Sequence, residues 1–331
     1  GERLMREETV AIGALELDCG QTLRAVEQRV TVYGTPAADG SNVALVEHAL
    51  TGSSRAADWW PGIVGEGALF DPREWCVVGI NALGSCYGST RTSQRITVRD
   101  VVRAEMLALR ELGLERVEVA IGGSLGGMRA LQWALAAPQR IANAVLVGAH
   151  DHHSAMGIAL NALQREALAL DPVRGLRLAR KLAMLSYKSE ELFNARHARR
   201  GDRGGKACFD VEGYLERQAD LFEARMDAAS YATLTHAMDS FDVRDAGDRL
   251  LNGSGARKPR LTFVGITSDW LFRPQDVRAA AQRFALLGFD SQYLEFQSGH
   301  GHDAFLAEPN ALRAILEPRI RTAATATVRS N

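Results

Sequence analysis

The chain has 331 residues, 24% of them charged, and a formal net charge of −1 at pH 7. This length is sufficient for one large α/β domain and an additional lobe, and the small net charge argues against a general attraction to nucleic acids or anionic membranes. No apolar run reaches the ~18 residues of a transmembrane helix, and the N-terminal residues lack the apolar segment of a signal peptide. We therefore predict a cytoplasmic protein.

The alternation of strand and helix patterns predicts an α/β fold with a mostly parallel sheet. Residues 14–18 and 24–33 predict an antiparallel hairpin at the sheet edge. Apolar runs predict four buried strands, at residues 42–47, 75–80, 117–121 and 141–148. Thr97 and Asp100 form a predicted capping box at the start of a helix that ends at Leu112.

The strand pattern is interrupted after the sixth strand. Between residues 150 and 251 the sequence becomes helical and rich in Arg, Ala and Leu, which predicts a helical lid over the strand ends. Strands are predicted again at 260–266 and 291–296, with a helix at 274–287 between them and a terminal helix at the end. The predicted domains are a core formed by residues 1–149 and 252–331 and a lid formed by residues 150–251.

A glycine-rich segment follows the strand at 117–121. Ser124 lies between Gly122 and Gly126, so the segment matches the G-x-S-x-G nucleophile elbow, in which a sharp turn raises a serine hydroxyl to the rim of a sheet. The alternative interpretation is a serine that only caps the following helix. The motif alone does not distinguish a nucleophilic serine from a capping serine, so the rest of the sequence has to be considered.

A serine nucleophile needs a base and an acid that orients the base. Asp269 and His302 each follow a predicted strand, and the chain order Ser124, Asp269, His302 is that of α/β-hydrolase folds. His300 is an alternative base. Asp242 and Asp248 are alternative acids, although both lie within the predicted lid.

The loop His48-Ala49-Leu50-Thr51-Gly52 follows the first predicted parallel strand. In hydrolase-like folds this loop supplies one N–H group of the oxyanion hole, and the residue after the nucleophile supplies the other. We therefore predict that the amides of Leu50 and Leu125 form the oxyanion hole.

The sequence does not favour a metal or a permanently bound cofactor. The run His150-Asp151-His152-His153 is similar to a metal cluster, but neighbouring histidines seldom share one ion without further ligands at suitable spacing. No P-loop is present, and the first βα turn lacks G-x-G-x-x-G. The four cysteines include no C-x-x-C pair, and they are Cys19, Cys76, Cys86 and Cys208.

Motifs throughout the chain, from about residue 24 to the last helix, are shared with one family. In the core they are residues 48–52, 81–89, 96–100, 122–133, 268–269 and 301–305, and in the lid 185–189, 214–215, 227–231 and 238–242. Taken together they resemble the homoserine O-acetyltransferase family of methionine biosynthesis, which has the α/β-hydrolase fold with a helical lid. This resemblance favours His302 over His300 as the base.

The resemblance implies a ping-pong acyl transfer from acetyl-CoA to the side-chain hydroxyl of L-homoserine through an acylated Ser124. It also implies that Arg199 binds the carboxylate of the amino acid and Asp303 its ammonium group. A guanidinium group and a carboxylate suit these roles chemically. Relatives are commonly homodimers through the lid helices, so we expect a homodimer.

This sequence departs from the family pattern near the expected mouth of the site. The segment between Ser89 and Ile96 is shorter than usual, and Arg129 replaces the usual Gln. Succinyl-using relatives tend to carry an arginine at the position of Leu271, so acetyl-CoA is favoured over succinyl-CoA. Serine as acceptor, hydrolysis by the same triad and a non-catalytic binding protein are the alternatives.

Overall fold

The computed structural model describes residues 5–246 and 257–328, with side chains as far as residue 320. Eight strands form one sheet in the order β1-β2-β4-β3-β5-β6-β7-β8. β1 pairs antiparallel with β2 and β2 with β4, whereas all later neighbours are parallel. The strands are β1 Met5–Glu16, β2 Thr22–Tyr33, β3 Val43–Glu47, β4 Cys76–Ile80, β5 Val117–Gly123, β6 Ile141–Val147, β7 Arg260–Ile266 and β8 Ser291–Phe296.

Helices connect the strands and close the chain. Those outside the segment between β6 and β7 are α1 Ala56–Trp59, α2 Val98–Glu111, α3 Leu125–Ala136, α9 Pro274–Leu286, α10 Ala304–Ala307 and α11 Pro309–Val328. Those between β6 and β7 are α4 Ala155–Leu170, α5 Pro172–Tyr187, α6 Glu190–His197, α7 Asp210–Glu223 and α8 Ala228–Asp239. None of the described helices is long and apolar enough to cross a membrane.

The central strands are buried on both faces, which explains their continuous apolar runs. In β3, Val43 and Leu45 belong to one hydrophobic cluster and Ala44 and Val46 to another, because successive side chains of a strand point to opposite faces. Helices α2, α3 and α9 cover the first face, and α1, α10 and α11 cover the second. The predicted α/β class and mostly parallel sheet are confirmed.

The N-terminal hairpin is longer than the sequence pattern indicated. β1 begins at Met5 and not at residue 14. The sequence pattern missed its first part because the residues there are mostly exposed and show little apolar alternation. Pairing with β2 from Met5↔Tyr33 to Glu16↔Thr22 defines the strand instead. The capping box at Thr97 and Asp100 is confirmed, since both reciprocal hydrogen bonds are formed.

The described elements between β6 and β7 are helices, and the segment contains no described strand beyond isolated bridges. A backbone bridge between His152 and Asp242 joins its two ends. The junction after α5 contacts two loops at the strand ends. The indole N–H of Trp270, after β7, donates to Lys188 O at 3.0 Å, and Ser189 Oγ donates to Gly299 O, in the loop of His302, at 2.5 Å. The predicted boundary at residue 251 lies outside the described residues, so the division into core and lid stays a prediction.

Candidate active site

Ser124 occupies a sharp turn between β5 and α3. Its φ of 53° and ψ of −123° place a non-glycine residue in a strained region of backbone conformation. A Cβ atom at Gly122 would lie 2.4 Å from the carbonyl carbon of Gly126, and one at Gly126 would lie 2.2 Å from Glu47 O. The two glycines of the motif are therefore required sterically. Ser124 makes no capping hydrogen bond, which argues against a purely structural serine.

Asp269 and His302 meet beside this turn. His302 Nδ1 lies 2.7 Å from Asp269 Oδ2, and both side chains are buried. The other oxygen of Asp269 accepts hydrogen bonds from the amides of Leu271 and Phe272, each at 2.9 Å. These bonds fix the carboxylate and with it the orientation of the imidazole ring.

The second ring nitrogen of His302 is directed to the candidate site. Nε2 is buried and has no hydrogen-bond partner among the described residues, and His302 and Ser124 line the same cavity. A hydrogen bond between Ser124 Oγ and His302 Nε2 is not formed in this structure. Such bonds are often long or poorly aligned until a substrate binds. The geometry is thus compatible with a triad, and the catalytic roles stay a prediction.

The pKa of His302 lies above its ordinary value. Burial alone would lower this pKa, but the charge and the hydrogen bond of Asp269, together with the charge of Asp303, more than offset it. An imidazole with a raised pKa accepts a proton from a hydroxyl more readily, which suits a general base.

The alternative residues do not fit these roles. His300 lines neither cavity that contains Ser124 and makes no contact with Asp269 among the described hydrogen bonds. Asp242 is exposed and pairs with Arg244 at 2.6 Å. Asp248 lies outside the described residues.

One narrow cavity, with a volume of about 90 Å³, brings most of the candidate residues together. Asp303 lies on its wall and accepts a hydrogen bond from Lys188 Nζ at 3.0 Å. Burial raises the pKa of Tyr187 to about 12, so its hydroxyl is neutral. The lining residues are Ala49, Leu50, Thr51, Ser124, Arg180, Tyr187, His302, Asp303, Phe305 and Leu306.

The structure does not bring Arg199 to this cavity. Arg199 is exposed, and its guanidinium lies over the ring of Phe209, 5.4 Å from the centroid. Arg180 of α5 lines the cavity instead, and its Nε is buried without a hydrogen-bond partner in the described part of the chain. The sequence analysis missed Arg180. The available signal was its position seven residues before Tyr187, which places both side chains on one face of a helix.

The predicted oxyanion residues lie on two different elements. Leu50 is buried and lines the cavity. Leu125 is the first residue of α3, where backbone N–H groups have no partner within the helix. Both amides are therefore suitable donors, and their role stays a prediction.

A second, smaller cavity of about 20 Å³ shares Leu50, Ser124 and Tyr187 with the first. Burial lowers the pKa of His153 to about 4, so this side chain is neutral near pH 7. No charged side chain lines this cavity, and Leu271 is one of its residues. The others are His153, Gly157, Leu160, Asn161, Gln164, Ser186, Tyr231 and Met238.

The histidine-rich segment after β6 forms a compact group. Potential ligand atoms of His150, Asp151 and His152 lie within 4.8 Å of one another. However, Arg283 donates to both oxygens of Asp151 at 2.7 Å, so a cation already satisfies this carboxylate. This contact argues against a metal ion, and the predicted absence of a metal stays a prediction.

The electrostatic environment of His302 predicts a specific pH response. We expect the pKa of His302 to lie above that of a free histidine and to fall in an Asp303→Asn variant, because the substitution removes a negative charge that stabilises the imidazolium. NMR titration of the His302 ring, assigned with a His302→Gln variant, measures both values. Asp242→Asn, the same change at a distant exposed position, is the control. A higher pKa in Asp303→Asn would contradict the electrostatic argument.

Comparison with known proteins identifies the fold and the family. Residues 43–309 match a family model described as the alpha/beta hydrolase fold. The chain is 40% identical over 308 residues to a homoserine O-acetyltransferase of Deinococcus radiodurans, which covers 90% of this chain and 87% of that protein. It is 36% identical over 348 residues to a homoserine O-acetyltransferase of Acidiphilium cryptum, with 91% of each chain covered.

Solved structures show the same fold. A homoserine O-acetyltransferase from Staphylococcus aureus aligns with a TM-score of 0.82 and 25% identity, over 96% of this chain and 95% of the other. Esterase E22 aligns with a TM-score of 0.85 and 20% identity, over 96% and 100% of the two chains, which shows a common fold alone. The predicted α/β-hydrolase fold is confirmed. The chain therefore belongs to the homoserine O-acetyltransferase family, a family of acyltransferase enzymes.

Proposed function

We propose that this protein transfers an acetyl group from acetyl-CoA to the side-chain hydroxyl of L-homoserine through an acyl-serine intermediate. The observation that carries the proposal is a cavity in which Arg180 and Asp303 accompany Ser124 and His302. An amino acid carries a carboxylate and an ammonium group, and a guanidinium and a carboxylate are their natural partners. The curated relatives are named for the same acceptor.

The first half of the reaction acylates the enzyme. Ser124 Oγ attacks the thioester carbonyl while His302 Nε2 takes its proton, and Asp269 stabilises the resulting imidazolium. The N–H groups of Leu50 and Leu125 stabilise the tetrahedral oxyanion. When the intermediate collapses, the C–S bond breaks and His302 returns its proton to the departing CoA thiolate.

The second half uses the same groups with an amino acid in place of CoA. Arg180 binds the carboxylate of homoserine, and Asp303 binds its ammonium group through Oδ1, since Lys188 already engages Oδ2. His302 takes the proton of the homoserine hydroxyl, which attacks the acyl carbonyl. Collapse of this intermediate releases O-acetylhomoserine, and His302 returns the proton to Ser124.

The smaller cavity supports acetyl as the transferred group. It adjoins Ser124, is narrow and contains no cationic side chain. A succinyl group would place a carboxylate in this cavity, and burying an unpaired charge is costly. A short apolar acetyl group has no such requirement.

We also propose that residues 150–251 act as a lid and that two copies of the chain associate through it. Five exposed apolar side chains support this association, and they are spaced seven residues apart on each helix, so that they share one face. They are Met156, Leu163 and Leu170 of α4 and Leu178 and Leu185 of α5.

A cytoplasmic location stays a prediction.

The proposed function is tested by a matrix of acetyl-CoA and succinyl-CoA against homoserine and serine. We expect homoserine to accelerate CoA release from acetyl-CoA, with O-acetylhomoserine as product detected by mass spectrometry. Ser124→Ala should lower acylation by more than ~10³-fold, because it removes the nucleophile. CoA release at a rate independent of any amino acid would indicate hydrolysis, and a wild type that never acylates would indicate a binding protein.

Substitutions of Arg180 and Arg199 are expected to affect the KM for homoserine differently. Arg180→Gln should raise the KM for homoserine by about tenfold to a hundredfold, since hydrogen bonds to charged groups contribute ~1.5–3 kcal/mol. Arg199→Gln is the matched control and should leave this KM within about twofold, as expected for a surface substitution. Steady-state kinetics at saturating acetyl-CoA measure both. A large rise in this KM for Arg199→Gln, with little change for Arg180→Gln, would show that Arg199 binds the carboxylate of homoserine.

Sedimentation velocity tests the association. We expect the wild type to sediment as a dimer and Leu163→Glu to shift the population towards monomer, because a carboxylate would be buried against the partner copy. Leu286→Glu, at a fully exposed position of α9, is the control and should not change the oligomeric state. A monomeric wild type at micromolar concentration would contradict the proposed dimer.

A further inference from the structure

A buried ionic cluster lies beneath the loop that carries Leu50. Arg129 of α3 has no exposed side-chain surface, and neither do Glu47 and Glu105. Arg129 Nε lies 2.5 Å from Glu47 Oε2, and its Nη2 lies 3.3 Å from Glu105 Oε1. Burial raises the pKa of Glu47 well above its ordinary value. Buried charges of this kind are costly and need a compensating role or excellent geometry.

The guanidinium of Arg129 also joins the ends of two parallel strands. Nη1 donates to His48 O at 3.0 Å, directly after β3, and Nη2 donates to Ile80 O at 2.9 Å, at the end of β4. These carbonyls lie at the carboxyl edge of the sheet, next to the elbow of Ser124. Arg129 therefore fixes the start of the loop 48–52 relative to the helix that follows the nucleophile.

The ring of His48 continues this connection to Leu50. Its Nε2 accepts a hydrogen bond from the Ala82 amide at 2.9 Å, so the ring proton resides on Nδ1. Nδ1 lies 2.7 Å from Ala49 O and donates to it. Ala49 C=O and Leu50 N–H belong to one planar trans peptide and point in opposite directions. Holding this carbonyl therefore fixes the direction of the Leu50 N–H.

From these contacts we propose that Arg129 is a positioning residue of the oxyanion hole, which acts through His48 to orient the Leu50 N–H. The proposal rests on the proposed acyl-serine chemistry. Burial and the nearby charge of Arg129 lower the pKa of His48 well below its ordinary value, which keeps the ring in the neutral form that this arrangement requires. Arg129 is the charged side chain that acts on this ring. Arg129 does not contact the reacting atoms itself.

The test separates stabilisation of the oxyanion from general stability. Arg129→Gln and Arg129→Lys are compared with the wild type in single-turnover acetylation of Ser124 by 4-nitrophenyl acetate and by acetyl-CoA. Binding of a methyl trifluoromethyl ketone, which forms a tetrahedral oxyanion adduct with an active serine, is measured in parallel. Because a lone Arg129→Gln leaves buried carboxylates without a cation, the double variant Glu47→Gln/Arg129→Gln is included. It lowers the negative charge of the cluster together with the positive charge.

Arg140→Gln is the matched control. Arg140 is also a largely buried arginine that donates to backbone carbonyls, including Glu115 O at 2.9 Å, but it precedes β6 at the opposite edge of the sheet. Thermal unfolding of every variant reports the loss of stability. A merely structural role for Arg129 would produce the same behaviour in both arginine variants.

We expect Arg129→Gln and the double variant to acylate at least about tenfold more slowly and to bind the ketone more weakly by a similar factor, with the KM for acetyl-CoA nearly unchanged. Loss of a whole oxyanion donor costs about 10²–10³-fold. Arg129→Lys should recover part of the loss, since it retains the charge and one donor. Arg140→Gln should lower the unfolding temperature without changing acylation or ketone binding.

Two outcomes would overturn the proposal. Unchanged ketone affinity in both variants that lack Arg129 would show that Arg129 does not act on the oxyanion. Losses that follow the unfolding temperature equally in the Arg129 and Arg140 variants would show a structural role alone. If Ser124 of the wild type is acetylated by neither 4-nitrophenyl acetate nor acetyl-CoA, the proposed function fails. This result is distinct from an Arg129 variant that is acetylated normally, which contradicts only the role of Arg129.

Discussion

The close contact of three backbone segments at Ser124 is the constraint on which the site depends. β5, α3 and the end of β3 approach one another so closely that a single Cβ atom at Gly122 or Gly126 would overlap backbone atoms. This contact holds Ser124 in a conformation that costs of order 1–3 kcal/mol for a non-glycine residue. The packed sheet and helix sustain the strain. This conformation places the serine hydroxyl at the carboxyl edge of the sheet, near the loops that carry Leu50, Asp269 and His302.

Charge is distributed unevenly around this point. The cavity with Arg180 and Asp303 contains one fixed charge of each sign, whereas no charged side chain among the described residues lines the smaller cavity beside Ser124. Because uncompensated charges are costly in such surroundings, the two spaces favour different ligand groups. Under the proposed function, this asymmetry assigns the zwitterionic acceptor to the first cavity and the small acyl group to the second.

The core and the helical segment between β6 and β7 contribute different parts of the site. Ser124, Asp269 and His302 follow strands of the sheet, so their relative positions are set by strand pairing. Arg180 and Tyr187 come from α5 and therefore depend on how the helices pack onto the strand ends. The hydrogen bonds at Lys188 and Ser189 attach this segment to the loops of Asp269 and His302. Under the proposed function, acceptor binding by Arg180 is thus coupled to the position of His302.

The amino-acid sequence by itself determined the strand order along the chain, the glycine-flanked turn at Ser124 and the succession of Ser124, Asp269 and His302. These features are local or follow the order of elements, so periodicity and small motifs reveal them. The sequence predicted only the last residues of the edge strand β1, because the exposed residues before them lack alternation. Only the tertiary structure placed Arg180 in the cavity and Arg199 outside it, and only it revealed the contacts of Arg129. The physical reason is that the sequence pattern of a helix does not distinguish a buried arginine from an exposed one. The surroundings of each arginine are set only when distant helices and strand ends pack together.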